Sequence, residues 1–254
     1  MTTKSFLSRP TSLVAIAALL GGSVSTLSAG DEPPMLEPAP AASGVEANFH
    51  VGYSSDYIFR GANQGGDNDL YEFGLDFGGS GTAPVLGDVD WSAGVWYGSF
   101  GTNELDVYGE VSKSLNEMLS VAVGITSYSY FGAAGANPAD DIEPYISLGT
   151  SLAGISLGVG AHFDESDTKT HDIYWEITAG YEKELSGNMT LGLSALLGHF
   201  DEAAAGVDDT YYALSAALSI AASDSITVTP HVTHIIDGST GDETVGGVSV
   251  GIGF

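Results

Sequence analysis

The 254 residues carry 33 acidic side chains against 6 Lys plus Arg, a formal charge of -27 that excludes a nucleic-acid binder, since phosphates demand a basic surface. The same shortage of cations argues against docking onto anionic lipid headgroups. Cysteine is absent, which excludes a disulfide scaffold, a cysteine nucleophile and a lipidated anchor, and no apolar run reaches the roughly 18 residues of a spanning helix.

Residues 1–30 predict a cleaved export signal. Lys4 and Arg9 supply the positive start, 13–20 (LVAIAALL) the apolar core, and Ser28, Ala29 and Gly30 the small residues of a cleavage region. Residues 31–44 (DEPPMLEPAPAASG) are rich in Pro and Ala without periodicity, and predict a disordered lead-in.

From residue 45 onward, segments alternating with a period of two are divided by turn clusters. They predict strands over 46–60, 69–79, 88–99, 104–114, 118–130, 142–153, 154–164, 171–184, 188–200, 210–221, 224–236 and 244–254. Twelve is an even number, as a single-chain bacterial barrel requires, and the segments are long enough to cross a bilayer at a tilt. The expected fold is all-β: a transmembrane antiparallel up-and-down β-barrel over 45–254, with ten or fourteen strands as alternative counts. The links support it. Those at 115–117, 153–154, 186–187 and 222–223 are short, with 80–87 the longer exception. The alternate links, 61–68, 100–103, 131–141, 165–170, 201–209 and 237–243, are mostly longer, as extracellular loops should be.

Parity assigns the faces. Tyr71, Phe73, Leu75 and Phe77 oppose Glu72, Gly74 and Asp76; Leu105, Val107 and Val111 oppose Asp106, Tyr108 and Glu110. If the apolar faces meet lipid, the interior collects Asp56, Glu72, Asp76, Asp90, Asp106, Glu110, Asp172 and Glu176. Arg60 shares parity with His50 and Asp56. It is expected beside Glu72 or another interior acid, either as an anchoring ion pair or as a charge at a constriction. Small residues at Gly52, Gly94, Gly124, Gly149, Gly158, Gly160, Gly192, Ser215 and Gly251 predict a lumen that side chains fill little, leaving a narrow water-filled passage. Trp91, Phe77 and Tyr181 are placed at the periplasmic rim, and Tyr71, Tyr97, Phe163, Tyr212 and Phe59 at the outer rim, as two aromatic girdles. Lys113 and Lys183 fall on the lipid side near periplasmic ends, where their stems can snorkel.

The last stretch, 245–254 (VGGVSVGIGF), turns Val248, Val250, Ile252 and Phe254 to one face. Paired with the first strand, it would close the barrel and leave no edge. Its terminal Phe254 resembles the signal by which the β-barrel assembly machinery reads the last strand of outer-membrane barrels. Residues 55–64 (SDYIFRGANQ) carry a second resemblance. Ser55, Tyr57, Phe59, Arg60, Gly61 and Gln64 match the opening-strand signature of the "gcw"-type conserved hypothetical family of Gram-negative outer-membrane β-barrel proteins, with Asn63 replacing its usual hydroxyl residue. That resemblance implies an outer-membrane barrel and supplies no activity.

Acidic clusters mark the predicted outer loops: Asp140, Asp141 and Glu143; Asp164, Glu165 and Asp167; Asp201, Glu202, Asp208 and Asp209; Asp237, Asp242 and Glu243. None follows a calcium-loop pattern, and the histidines lack metal spacing, so no metal or cofactor is expected. His231, among Thr227, Thr229 and Thr233, is expected inside. His199 and His234 fall outward near the outer rim, where Ser127 or Ser129 could complete a lipase-like pair, but no G-x-S-x-G elbow supports an enzyme. The expected protein is therefore a passive, narrow, porin-like channel of the outer membrane with an acidic lumen for cations or small neutral solutes. Its partners would be outer-membrane lipid and the assembly machinery. The alternatives are a closed barrel acting as a structural or surface-interaction protein through its acidic loops, and a soluble β-sandwich.

Overall fold

The computed structural model describes residues 44–66, 68–131, 140–163, 173–201 and 210–254. The predicted export signal and all but the last residue of the lead-in lie outside them. Twelve long strands form the wall: β1 (Glu46–Ser54), β4 (Leu70–Ala83), β5 (Gly87–Ser99), β6 (Asn103–Ser114), β7 (Leu119–Phe131), β8 (Asp140–Leu152), β9 (Ile155–Phe163), β10 (Ile173–Ser186), β11 (Met189–Asp201), β12 (Thr210–Ala221), β13 (Ile226–Gly238) and β14 (Gly241–Gly253). Two short strands, β2 (Ile58–Phe59) and β3 (Ala62–Asn63), pair only with each other. The wall is a closed barrel in which each strand neighbours the next in sequence, and β1 lies between β14 and β4. Phe49 pairs with Ile252 on one side and Leu75 on the other. Closure removes both sheet edges, which a bilayer would not tolerate.

Period-two alternation builds this wall. Along β6, Glu104, Asp106, Tyr108, Glu110 and Ser112 are buried inside, while Val107 and Val111 are exposed outside. Val51, Phe73, Val123, Ile146, Val159, Ile177, Leu193, Leu214, Val232 and Val248 repeat that exposure on other strands. An apolar surface running round the whole molecule far exceeds the few hundred Å² of an ordinary soluble surface patch, so the band is built for lipid and the soluble sandwich is set aside. Pro230 lacks an N–H, and the β12–β13 ladder is interrupted beside it, between Ala217↔His231 and Ile220↔Val228. Near the short turns, the Lys113 ammonium donates to the carbonyls of Leu86 (2.5 Å) and Asp88 (3.2 Å).

Several expectations are corrected. The predicted first strand, 46–60, stops at Ser54. The link predicted over 80–87 shrinks to 84–86 because β4 runs on to Ala83, so the short side is uniformly short. The link 237–243 shrinks to 239–240 between extended strands. The small interior residues do not all border open space either. Tyr108 lies across Gly94, its register partner; Tyr145 lies across Gly124 and Glu72 across Gly52. A glycine opposite a large side chain lets that side chain lie flat against the wall.

Candidate functional site

After Ser54 the chain leaves the wall and turns into the lumen. Ser55 ties the departure point to β14: its amide donates to the Gly246 carbonyl (3.0 Å), and its hydroxyl accepts from the Gly246 amide (3.2 Å). Tyr57, Ile58 and Phe59 then form an apolar run that a half-buried strand, with one wet or lipid face, could not hold in alternation. Phe59 pairs with Ala62, leaving Arg60 and Gly61 as a two-residue turn, both with positive φ (48° and 76°). That is the tight hairpin geometry whose two central residues are left-handed, and it suits Gly61 well and Arg60 at some cost. The Gln64 amide closes the hairpin onto the Tyr57 carbonyl at 2.8 Å.

The hairpin crosses the barrel. Tyr57 (1% exposed) packs with Leu70, Trp96, Phe100 and Tyr108, with Phe59 alongside. Ile58 (0% exposed) packs the opposite way, with Tyr174, Leu196, Tyr211, Ala213, Ile235 and Val245. Burial of a side chain such as Ile58 is worth about 1.5–3 kcal/mol, and a two-stranded hairpin is not stable without such packing. Gly61 accepts a hydrogen bond through its carbonyl from the Ser239 amide (2.9 Å), and Asn63 donates to Asp56 (3.2 Å) and Glu243 (3.0 Å). One end of the hairpin is thus fixed to the β13–β14 turn.

Arg60, beside Gly61 in the same turn, ties that tip to another part of the wall. From a segment that leaves β1, it reaches β8, five strands away in one direction and seven in the other. Its guanidinium makes a two-pronged pair with Glu143: Nη1 donates to Oε2 at 2.7 Å, and Nη2 donates to Oε1. The side chains are 10% and 7% exposed. The guanidinium carbon lies 4.2 Å from the centre of the Tyr174 ring and 4.8 Å from that of Phe59. Burial opposes the Arg60 charge, but Glu143 outweighs it and holds the guanidinium well above its ordinary pKa. Behind Glu143, His162 Nδ1 lies 3.1 Å from Oε1 of Glu143, and its Nε2 lies 3.6 Å from Oε1 of Glu176. Tyr145 stacks on His162 (5.2 Å between centres) and donates to Glu110 at 2.9 Å.

The remaining predicted lumen residues distribute as follows. Glu72, Asp76, Asp106, Glu110 and Glu176 lie on the inward face of β4, β6 and β10. Asp76 accepts from Tyr108 and Asn48 and lies 3.3 Å from His50, while Glu72 accepts from the Trp96 ring nitrogen at 2.8 Å. Asp90 is exposed towards the short-turn end of β5. Asp56 and Arg60 are not strand residues, as their parity had implied, but parts of the inward segment; Asp172 lies outside the described residues. Of the acids allowed for, the partner of Arg60 is not Glu72 but another interior one, Glu143, which lies on β8, inside the strand predicted over 142–153, although it was also grouped with the outer-loop acids. Its alternation with Ile142, Pro144, Ile146 and Leu148 was the sequence signal for an inward position. His162 and Tyr174 were also missed, although each sits at inward parity on its strand. Phe59 belongs to the lumen packing and not to the outer girdle.

The opposite wall is different. On β11–β14 the inward positions include Ser194, Ala213, Ser215, Thr229, Thr233 and Ser249, and the Ser215 and Thr233 hydroxyls lie 2.8 Å apart. His231 is here, 3.3 Å from the Ser54 hydroxyl. The Ser–His pair weighed from the sequence does not form. Ser127 and Ser129 are on β7, four strands from His199 on β11, and His199 and His234 are each 2.8 Å from a threonine hydroxyl. Among the described residues no three His, Asp or Glu converge as a metal site. Phe254 is 76% exposed, with its backbone paired to Ala47 in both directions.

A closed twelve-strand barrel with a polar interior and an apolar exterior defines the class: an outer-membrane β-barrel with the fold of porins. The chain is similar to the KdgM porin at 12% identity, with a TM-score of 0.53 over 82% of this chain and 99% of that one. It is similar to the NanC porin at 13% identity and TM-score 0.51, over 81% and 98%. It is also similar to an outer membrane channel from Pseudomonas putida F1 at 10% identity and TM-score 0.56, over 88% and 99%. The KdgM porin has further been solved in complex with disordered oligogalacturonate. At such identities the likeness shows the fold. The family is shown by sequence: a model of the bacterial proteins of unknown function termed Gcw_chp matches residues 38–238, and the chain belongs to that family. No curated protein matches it.

Proposed function

We propose that the protein is a narrow outer-membrane channel for cations or small neutral solutes, constricted at its outer mouth by the first hairpin. The observation that carries this reading is the unequal lumen. An arc of carboxylates on β4–β10, including Glu72, Asp76, Asp106, Glu110, Glu143 and Glu176, faces a wall on β11–β14 whose buried polar side chains are the hydroxyls of Ser215, Thr229 and Thr233, beside the apolar Leu196, Tyr211, Ile235 and Val245. Charges lining a confined path set which ions enter it. A polyanion such as the oligogalacturonate bound by the KdgM porin would be repelled by that arc, so the solute class differs from that of this neighbour. The chain would reach the outer membrane through the cleaved signal of residues 1–30. Lipid would surround the apolar band, and the assembly machinery would read Phe254.

The inward hairpin favours one competing reading, a closed barrel with a structural or surface-interaction role. Planar-bilayer conductance of the folded protein, with the reversal potential read across a KCl gradient, separates the two. Discrete steps with a potential favouring K⁺ are expected. A potential favouring Cl⁻ refutes the acidic path, and silence from verified folded barrel, in the native chain and with the hairpin removed, supports the closed reading.

A further inference from the structure

The surroundings of Arg60 divide by origin. Phe59 and Arg60 arrive with the hairpin, whereas Glu143, His162 and Tyr174 stand on β8, β9 and β10, three consecutive strands of the wall. Each wall group is held independently of the hairpin. Glu143 has His162 at 3.1 Å, His162 has Glu176 at 3.6 Å, and the Tyr174 and Tyr211 hydroxyls lie 2.7 Å apart. Without the hairpin, the wall would still present the Glu143 carboxylate beside the face of the Tyr174 ring. That combination recognises one cation better than others. A guanidinium is planar, offers two parallel N–H donors to both carboxylate oxygens, and stacks on an aromatic face, whereas an ammonium is a point charge that does neither.

We propose that Glu143, Tyr174 and His162 form a lumenal binding site for guanidinium-bearing small solutes, filled from within by Arg60 while the hairpin narrows the mouth. A free guanidinium solute competes for the same oxygens and so loosens the hairpin. The binding site stands on the geometry above; its effect on flux rests on the channel reading.

The test uses the full folded chain in detergent and in bilayers, with methylguanidinium as the probe and methylammonium at equal ionic strength as the control. In Arg60→Ala the site is vacated, and millimolar methylguanidinium is expected to raise the melting temperature saturably, by mass action on the folded state. Methylammonium should shift it much less, and Arg60→Ala/Glu143→Gln should not respond to either. In bilayers, the same probe should reversibly reduce the Arg60→Ala current. Arg60→Lys keeps a cation at the position but not the fork, so methylguanidinium should stabilise it too, at higher concentration. Absence of a shift in both Arg60 variants overturns the site, as does an equal shift in the double variant or an equal response to methylammonium. A guanidinium-specific shift without current in any variant upholds the site and removes the channel reading instead.

Discussion

Arg60 combines three burdens in one residue: a positive φ, a buried charge and a long reach across the lumen. The pair it makes is not a surface salt bridge of negligible worth. Removing one partner from a buried pair typically costs about 3–5 kcal/mol, and His162 beside Glu143 should hold the loss to the lower end here. Arg60→Ala is therefore expected to destabilise the folded protein by about 3 kcal/mol in urea titrations in micelles. A double-mutant cycle with Glu143→Gln should return a coupling of about 1–3 kcal/mol; additive effects would mean that the pair carries no energy of its own. Gly61 sets the second expectation. Its φ of +76° is one that L side chains resist, and a Cβ there would sit 2.7 Å from the Tyr211 ring. Gly61→Ala should cost about 1–3 kcal/mol and speed amide exchange across 57–64 while strands β4–β14 keep their protection.

The hairpin is an insertion in a simpler element. Ser54 and Leu70 are register partners in the β1–β4 ladder, so the two strands could be joined there by a tight turn. Replacing 55–69 with Asn-Gly should leave β1 paired to β4 and β14. The expected variant still migrates anomalously on unheated gels, as a closed barrel does, and conducts several-fold more than the native chain. Loss of heat-modifiable migration would show instead that the hairpin packing is required to hold the wall together. Its two apolar clusters make that a fair contest, because they form much of the buried apolar core described in the outer half. The sequence marked this departure only indirectly. Tyr57, Ile58 and Phe59 break alternation, and a run apolar on both faces must be buried on both faces, which the wall of a membrane barrel cannot offer.

At the scale of the whole barrel, the lumenal charge of the described residues is distributed by wall. The acidic arc of β4–β10 and the hydroxyl wall of β11–β14 share one lumen, and confinement strengthens the influence of each carboxylate on a passing ion. Substituting Asp106 and Glu110 together by Asn and Gln should move the reversal potential in a KCl gradient towards zero. A potential unchanged from the native chain would place the ion path away from β6. Raising the salt concentration should weaken the native preference, because exposed charges at the mouth are screened within about 10 Å at 0.1 M.

Alternation is a local property of the chain, so the sequence by itself determined the barrel: twelve strands, their order, their lipid and lumen faces, and the short turns that keep neighbours antiparallel. Closure followed from the same logic, because an apolar-faced last strand needs the first one as its partner. Tertiary structure alone decided what occupies the lumen. Whether a glycine opens space or accommodates Tyr108 lying across it depends on a residue of the neighbouring strand, not on its own. That Arg60 meets Glu143 rather than Glu72 depends on the chain leaving the wall after Ser54 and on a contact 83 residues away in sequence, with a strand five places round the closed barrel from β1. Parity places a side chain inside; only closure of the wall determines what it meets there.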